Sequence, residues 1–211
     1  YGLFTLESEE QGEKIRFFLM KNIVGVDSSR VLRKYDMKGS TADREVLRKD
    51  PTAIDKGRTL KDTDFLKVER KLHVTSFVSG WMEQSAKLDA GFLRDQGLID
   101  YSLFVVVIRI ASNEMNLLDS SFIPKVNEPN AYYKIGIIDF LQLFNFMKKV
   151  EKATKQIQYF DPNRDVSSQD PVRYAERFKK FMIRILNEEY DGRTSSGRES
   201  MEKSKLEIDI R

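Results

Sequence analysis

Hydrophobic residues gather in two short stretches at the start of the chain, Tyr1–Leu6 and Lys14–Met20, which flank a polar turn. Short runs of this kind, bounded by polar residues, are typical of β-strands. A third extended run, Arg30–Lys34, alternates between apolar and polar positions, and the following residues 42–62 are mostly polar. The pattern therefore predicts three strands and then a long loop.

Apolar residues recur at helical spacing from Asp64 to Gly97, where Gly80 and Gly91 interrupt the stretch. Because glycine weakens a helix, this stretch predicts two helices rather than one. Pro171 stands where a proline often begins a helix. The apolar face of that helix would be formed by Tyr174, Phe178, Phe181, Met182 and Ile185.

The length and composition predict one domain with a charged tail. The chain has 211 residues, of which 40% are hydrophobic, and this is enough for a single core. The residues from 187 onward are charged, rich in serine and nearly free of large apolar side chains. We expect an ordered domain over residues 1–186 and a disordered tail over residues 187–211.

The strongest strand signal is Ser102–Ile110, which is rich in valine and isoleucine, and a second strand follows at Tyr132–Ile138. Two strands joined without an intervening helix are most simply antiparallel. The start of the first strand and the end of the second then lie at the same end of the sheet. Asp100 stands just before the first strand and Asp139 just after the second, so the pairing predicts two carboxylates at one edge.

Two interpretations of these aspartates remain open. Aspartate often forms turns or caps helices, and that role alone would explain both residues. Asp139, however, lies between the apolar pairs Ile137-Ile138 and Phe140-Leu141, where a carboxylate is costly unless a cation or a donor compensates it. This setting favours a site for a metal ion and phosphate, in an α+β fold whose antiparallel sheet packs against helices.

The charge balance and the missing residue types exclude several classes of protein. Lysine and arginine number 36 against 33 acidic residues, so the net charge is only +3, which argues against a nucleic-acid partner. The absence of cysteine excludes disulfides and thiol nucleophiles and makes the cytoplasm the expected compartment. The single histidine, His73, is expected to be an ordinary surface or packing residue in a helical stretch. Neither glycine-rich phosphate motif is present.

Two segments are nevertheless basic. Ser28–Lys49 holds seven positive and three negative side chains. Residues 140–160 hold four lysines and one acidic residue: Lys148, Lys149, Lys152 and Lys155 against Glu151. Such segments are suited to an anionic surface, although a solvated helix face would show the same pattern. Together they indicate a polyanionic partner.

Several blocks of the sequence resemble the phosphatidylinositol phosphate kinases. Tyr35–Thr41 (YDMKGST) is similar to the signature of that family, Ile99–Leu103 (IDYSL) to its catalytic segment, and Ile135–Asp139 (IGIID) to its metal-binding segment. Two further blocks are similar, TLKD with DF at residues 59–65 and YAERF at residues 174–178. The blocks occur in the family's order over residues 1–186.

The resemblance implies a kinase-like two-lobe fold with ATP and Mg²⁺ as cofactors. Asp100 would be the catalytic aspartate that orients the inositol hydroxyl, and Asp139 would hold Mg²⁺ against the phosphates of ATP. The adenine would meet a hinge formed by Met20, Lys21 and Asn22. Lys38 and Arg44 match basic positions that contact the lipid phosphate, a task for which the two side chains are suited.

The resemblance also makes residues 140–171 the activation loop, which selects the lipid and meets the membrane. Lys148-Lys149-Val150-Glu151 is similar to the segment of the phosphatidylinositol-4-phosphate 5-kinases, whereas the 5-phosphate 4-kinases carry alanine in place of Glu151. We therefore expect phosphatidylinositol 4-phosphate as the substrate, the 4,5-bisphosphate as the product, and a peripheral position at the cytosolic face of membranes. A 5-phosphate 4-kinase is the alternative.

The chain departs from the family in one respect. Family members carry a glycine-rich loop and a strand lysine upstream of the segment that resembles Tyr1–Phe4, and neither is present in this sequence. We expect either a piece of a longer protein, which the missing initiator methionine favours, or a relic. In the latter case, the function would be that of a phosphoinositide-binding module without catalytic activity.

Overall fold

The structure is a computed structural model that describes residues 2–7, 14–144 and 170–187. Its strands are β1 (Gly2–Glu7), β2 (Lys14–Leu19), β3 (Val31–Met37), β4 (Thr59–Leu60), β5 (Leu98–Ile99), β6 (Ser102–Arg109), β7 (Ile123–Pro124), β8 (Ala131–Ile138) and β9 (Gln142–Leu143). Its helices are α1 (Asp62–Val68), α2 (Ser76–Asp95) and α3 (Pro171–Leu186). The predicted α+β class is confirmed.

A five-stranded sheet in the order β4-β3-β6-β8-β7 forms the centre of the fold. Its pairs are antiparallel, except for the short parallel pair of β3 and β4. Strand β6 is apolar at successive positions because both faces of the sheet are covered there, and Val105, Val106 and Val107 are fully buried. Helices α2 and α3 contribute to the core on one face, whereas Val24, Val26 and Phe122 pack on the other.

The helix break lies elsewhere than the glycines predicted. Helix α2 continues through Gly80 and Gly91, and the interruption falls between α1 and α2, where His73 lies in the connection rather than in a helix. The two glycines are tolerated because α2 packs against α3 through a buried stripe formed by Met82, Ala86, Ala90 and Leu93. Tertiary packing thus outweighs the roughly 1 kcal/mol by which each glycine disfavours a helix relative to alanine.

Helix α3 begins as predicted at Pro171. Asp170 caps it, since the Asp170 carboxylate accepts hydrogen bonds from the backbone N–H groups of Val172 and Arg173, both at 3.1 Å. Its apolar face joins the core through three aromatic rings: Tyr101 contacts Tyr174 and Phe178 edge-on, with centroid distances of 4.7 and 5.1 Å. The helix therefore supports the turn that precedes β6.

Strands β1 and β2 form a separate two-stranded hairpin. It touches the segment just after β8, because the ring of Phe18 in β2 lies 5.8 Å from that of Phe140. Among the described helices, none has both the length and the apolar character needed to cross a membrane.

Candidate functional site

Three chain segments meet at one edge of the central sheet. Strands β3 and β8 end where β6 begins, since Met37 pairs with Leu103, and Ser102 pairs with Ile138. Lys38 follows β3, Asp100 precedes β6 and Asp139 follows β8. We call these three residues the charged edge. The predicted meeting of the two aspartates at one end of an antiparallel pair is confirmed.

Lys38 and Asp100 form an ion pair in which the Lys38 Nζ lies 2.7 Å from the Asp100 Oδ1. The lysine side chain is only 15% exposed, whereas the aspartate side chain is 47% exposed. The backbone of Asp100 is left-handed, with φ = 67°, a conformation that aspartate adopts more readily than most residues. The carboxylate of Asp100 is thus turned by a constrained backbone and held by a cation.

Asp139 is exposed, which corrects one premise of the sequence argument. Ile137 and Phe140 pack against the core, the latter also on Phe18, while the aspartate itself stands at φ = 59° on the surface. No cost of burial therefore calls for a compensating cation. The case for a metal site depends instead on the position of this open carboxylate at the same edge as Asp100.

The two carboxylates fit magnesium better than a metal enclosed by protein. Magnesium prefers oxygen ligands and usually keeps waters and substrate phosphates, so that one or two carboxylates suffice. Asp100 and Asp139 supply two accessible carboxylates at one edge. Within residues 2–7, 14–144 and 170–187, no group of three or more His, Cys, Asp or Glu side chains could hold a metal ion.

The loop that carries Lys38 is held by a buried carboxylate that the sequence argument did not single out. The Asp62 Oδ1 accepts hydrogen bonds from the backbone N–H groups of Lys38, Gly39 and Ser40 at 2.9, 2.7 and 3.2 Å. Asp62 is fully buried. Three N–H groups that converge on one oxygen form an anion-binding nest, so Asp62 fixes the backbone next to the charged edge.

Arg44 belongs to the same network, and this revises the role expected for it. Its Nε donates to the Asp62 Oδ2 at 2.7 Å, and its terminal nitrogen contacts the carbonyl oxygen and the carboxylate of Asp36. Burial is the largest single influence and would lower the pKa of Arg44, but the attraction and hydrogen bonds of Asp62 and Asp36 together outweigh it and raise that pKa above its usual value. Because Arg44 is 9% exposed, the geometry favours a positioning role over direct contact with a lipid phosphate.

Asp64 repeats this arrangement two residues further along the chain. Its carboxylate accepts from the backbone N–H groups of Val46, Leu47 and Lys61 at 2.8 to 3.0 Å. Asp62 and Asp64 lie in the TLKD–DF block that the resemblance had already marked. The block thus marked the two aspartates, but it did not predict that their carboxylates hold the backbone of the neighbouring loop.

Gly39 is required where the loop meets α3. Its φ is +74°, and a Cβ atom would lie 3.1 Å from the carbonyl oxygen of Arg177 and 3.2 Å from the Phe181 Cβ. A side chain at this position would force the loop away from the helix. Helix α3 therefore supports the charged edge through the loop as well as through Tyr101.

The segment before β6 is held by a buried tyrosine pair. The Tyr174 hydroxyl donates to the carbonyl oxygen of Tyr101, the residue after Asp100. Burial raises the pKa of Tyr101 to about 12, although Arg177 opposes the shift. Burial also raises the pKa of Tyr174. Both phenols are protonated at neutral pH, as tyrosine ordinarily is, and the backbone beside Asp100 is fixed by a neutral hydrogen bond.

Met20, Lys21 and Asn22, expected to meet adenine, follow β2 and are all exposed. The Asn22 Oδ1 accepts from the backbone N–H of Val24 at 3.0 Å, which turns the chain toward the sheet. The next residue, Ile23, packs on Gly136 of β8 so closely that a Cβ there would lie 2.7 Å from the Ile23 Cδ1. The glycine of the IGIID block thus leaves room for Ile23, the residue that follows the expected hinge.

Other predicted site residues lie outside the described part of the chain. These are Lys148, Lys149 and Glu151, together with most of the expected activation loop and of the tail. His73 takes no part in the charged edge: its backbone N–H donates to the Tyr133 hydroxyl at 3.3 Å.

Comparison with known proteins gives consistent matches. A sequence model of the family described as phosphatidylinositol-4-phosphate 5-kinase matches residues 1–125 and 123–185. A Mus musculus protein named phosphatidylinositol 4-phosphate 5-kinase-like protein 1 is 25% identical, over 83% of this chain and 50% of its own. Phosphatidylinositol 4-phosphate 5-kinase 6 of Arabidopsis thaliana is 28% identical, over 84% and 32%.

A third relative is named for a different substrate, phosphatidylinositol 5-phosphate. Phosphatidylinositol 5-phosphate 4-kinase type-2 alpha of Sus scrofa is 26% identical, over 88% of this chain and 56% of its own. The chain thus spans from about a third to just over half of the length of these relatives.

Proposed function

The chain belongs to the phosphatidylinositol-4-phosphate 5-kinase family, and from this membership we propose that it forms part of a lipid kinase. The kinase transfers the γ-phosphate of ATP to the inositol ring of phosphatidylinositol 4-phosphate and makes the 4,5-bisphosphate. The observation that carries the proposal is the meeting of Lys38, Asp100 and Asp139 at one edge of the sheet.

Asp100 is the residue proposed to act on the acceptor. Its carboxylate orients the attacking inositol hydroxyl and accepts the proton that leaves it. Lys38, 2.7 Å away, holds this carboxylate in place and balances its charge before substrate binds. Positioning and compensation of charge are the main contributions that proteins make to phosphoryl transfer.

Asp139 is the residue proposed to hold magnesium, with Asp100 at the same edge of the sheet. The ion would neutralise charge on the transferred phosphoryl group. Asp139 is suited to this because it is exposed, and because its backbone is fixed on one side by strand β8 and on the other by the packing of Phe140 on Phe18. The adenine of ATP is proposed to lie at residues 20–22, which directly follow β2 and so share the side of the fold where this packing occurs.

The lipid headgroup is proposed to approach Lys38 from the open side of Asp100. Arg44 keeps Lys38 in position through Asp62 rather than by touching the lipid. Lys148 and Lys149 supply further positive charge for an anionic membrane surface on the cytosolic side, where each lysine contributes roughly 1 kcal/mol of attraction.

Substrate choice is proposed to depend on Glu151, an acidic residue among lysines. The relatives include both 4-phosphate 5-kinases and 5-phosphate 4-kinases, so the 4-kinase is the second candidate. Replacement of Glu151 by alanine is expected to move the preference toward phosphatidylinositol 5-phosphate with vesicle binding unchanged. An unchanged product ratio would leave Glu151 as a solvated residue and remove this ground for a 5-kinase.

The architecture is proposed to be a kinase-like two-lobe fold in which the β1–β2 hairpin belongs to the smaller lobe. The remainder of that lobe, including a glycine-rich loop and a strand lysine, is proposed to come from sequence outside these 211 residues. Without those elements the chain would bind phosphoinositides but transfer no phosphate, and this is the third candidate.

The test is a lipid-kinase assay on the full-length protein with ATP and vesicles that contain one phosphatidylinositol monophosphate at a time. Positional analysis of the bisphosphate should show the new phosphate at position 5 and the 4-phosphate as the preferred acceptor. Preference for the 5-phosphate would establish the 4-kinase. Binding of both lipids without any transfer would establish the binding module.

A further inference from the structure

A groove of about 510 Å³ lies between the loop that follows β3 (Lys38–Thr41) and helix α3, beside the charged edge. Gly39 and Thr41 line one side of it. The other side carries four cations from α3, which are Arg173, Arg177, Lys180 and Arg184. Neither Asp100 nor Asp139 lines the groove, so the mechanism proposed above does not use it.

Three of these cations, Arg173, Lys180 and Arg184, are exposed and form a stripe, whereas the Arg177 guanidinium lies over the Tyr174 ring, 4.7 Å from its centroid, with its nitrogens buried. Spacings of seven and four residues keep the three exposed cations on the same face of the helix. Arg173 and Arg184 are eleven residues apart, which corresponds to about 16 Å along the helix axis. This length suits a compact ligand with several phosphate groups rather than a nucleic-acid strand, which the small net charge of the chain also disfavours.

The stripe is poorly neutralised by the described residues around it. Glu176 is the one acidic residue among those that line the groove in the described part of the chain, and its carboxylate contacts Lys179. Arg173 lies 3.5 Å from Asp170 and is 80% exposed. Lys180 and Arg184 are exposed, and neither forms an ion pair with another residue within the described ranges. These two cations therefore face the groove without a carboxylate from residues 2–7, 14–144 or 170–187.

The far end of the groove is too distant to be the site of phosphoryl transfer. Tyr174 lies at the level of Asp100 along α3, because the Tyr174 hydroxyl donates to the carbonyl oxygen of Tyr101, the residue after Asp100. Arg184 lies ten residues further along α3, or about 15 Å. A phosphate held by Arg184, at this far end, therefore belongs to a different ligand molecule from the one that meets Asp100.

We propose that this groove is a second anion site, which binds the clustered phosphates of an inositol polyphosphate. The choice of inositol rests on the proposed function, since a lipid kinase of this kind makes inositol headgroups that carry clustered phosphates. The proposal names the ligand chemistry, which a lipid headgroup and a free inositol phosphate share. Occupancy would bear directly on the loop that carries Lys38, because Gly39 forms part of the wall.

The experiment measures binding of free inositol 1,4,5-trisphosphate to the 211-residue chain by calorimetry, and of vesicles with phosphatidylinositol 4,5-bisphosphate by flotation. The test variant is Lys180→Ala/Arg184→Ala. The matched control is Lys56→Ala/Arg58→Ala, which removes the same two residue types from an exposed site that is remote in sequence from α3. The test variant should bind the trisphosphate at least about tenfold more weakly, because two charge-assisted contacts are lost, whereas the control stays within about twofold.

A charge-conserving variant, Lys180→Arg/Arg184→Lys, should retain binding, and unfolding midpoints check that all variants fold. Equal losses in test variant and control, or no loss in either, would overturn the proposal. Binding to bisphosphate vesicles without any binding of free trisphosphate would identify the lipid as the source, and binding of both would admit the soluble ligand. A phosphopeptide that binds more tightly than the trisphosphate would assign the groove to a protein partner instead.

The same measurement on Lys38→Ala separates this proposal from the proposed function. Trisphosphate should still bind that variant at the groove within about twofold, even if phosphoryl transfer fails. Loss of transfer with retained binding would support two separate sites, whereas loss of trisphosphate binding in Lys38→Ala would mean that there is one site and not two.

Discussion

Replacement of Asp62 by asparagine should destabilise the fold strongly, although it exchanges only one oxygen for an amide nitrogen. The carboxylate of Asp62 accepts three backbone hydrogen bonds and pairs with Arg44, and it is fully buried. Asparagine can keep the backbone contacts with its carbonyl oxygen. Its amide group, however, would face the Arg44 guanidinium, so that two donors meet and the arginine charge loses its buried carboxylate.

The expected loss in free energy of unfolding is large because the pair is desolvated. Breaking a buried ion pair by removal of one partner costs about 3–5 kcal/mol, which is a large share of the roughly 5–15 kcal/mol that stabilises a typical protein. For a chain of this size, the melting temperature would fall by about 2–4 °C per kcal/mol. We expect a decrease of roughly 6–20 °C.

The assay is thermal and urea unfolding of the 211-residue chain. Asp55→Asn is the matched control because Asp55 is an exposed aspartate in the preceding loop, and it should change stability by no more than about 0.5 kcal/mol. Arg44→Met alone should also destabilise. Arg44→Met combined with Asp62→Asn should lose less than the sum of the two, since each removes the partner of the other.

A loss below about 1 kcal/mol for Asp62→Asn, or strictly additive effects in the double variant, would refute this reasoning. Arg44 would then be free to act on the ligand, as its place near the signature first indicated.

Gly136→Ala should destabilise the chain by about 1–3 kcal/mol, because the new Cβ would lie 2.7 Å from the Ile23 side chain. Gly80→Ala should instead stabilise the chain by up to about 1 kcal/mol, because there is open space around Gly80. Urea unfolding of both variants measures the two changes in free energy. Tyr101, whose pKa burial raises to about 12, should contribute to a loss of stability between pH 10 and 12. The unfolded chain releases this proton near pH 10 while the folded chain retains it, so the unfolding free energy falls by about 1.4 kcal/mol per pH unit for this group. Tyr101→Phe should flatten the pH dependence by that amount, and an unchanged slope would contradict the burial argument.

The sheet and the meeting of the two aspartates could be predicted because antiparallel pairing leaves few choices. Once Ser102–Ile110 and Tyr132–Ile138 are strands with a loop between them, Asp100 and Asp139 must approach each other. The start of α3 was also predictable, since a proline with an aspartate before it is a local signal.

The network around Arg44 could not be predicted in the same way. Asp62 lies 18 residues from Arg44 and 24 from Lys38 along the chain, and no local pattern specifies that they share one buried carboxylate. The break between α1 and α2 was misplaced because the packing of α2 on α3 decides it, and single glycines do not. The exposure of Asp139 was missed because apolar neighbours in sequence do not fix the direction of the residue between them.

The most direct test of the proposed catalytic site is the turnover of Asp139→Asn in the full-length protein, with Asp55→Asn as the control. The rate of phosphoryl transfer should fall by about a thousandfold or more, because the loss of a magnesium ligand costs several kcal/mol of barrier. Binding to phosphoinositide vesicles and the free energy of unfolding should stay close to those of the wild type. Turnover within about tenfold of the wild type would contradict the assignment of this edge as the catalytic site.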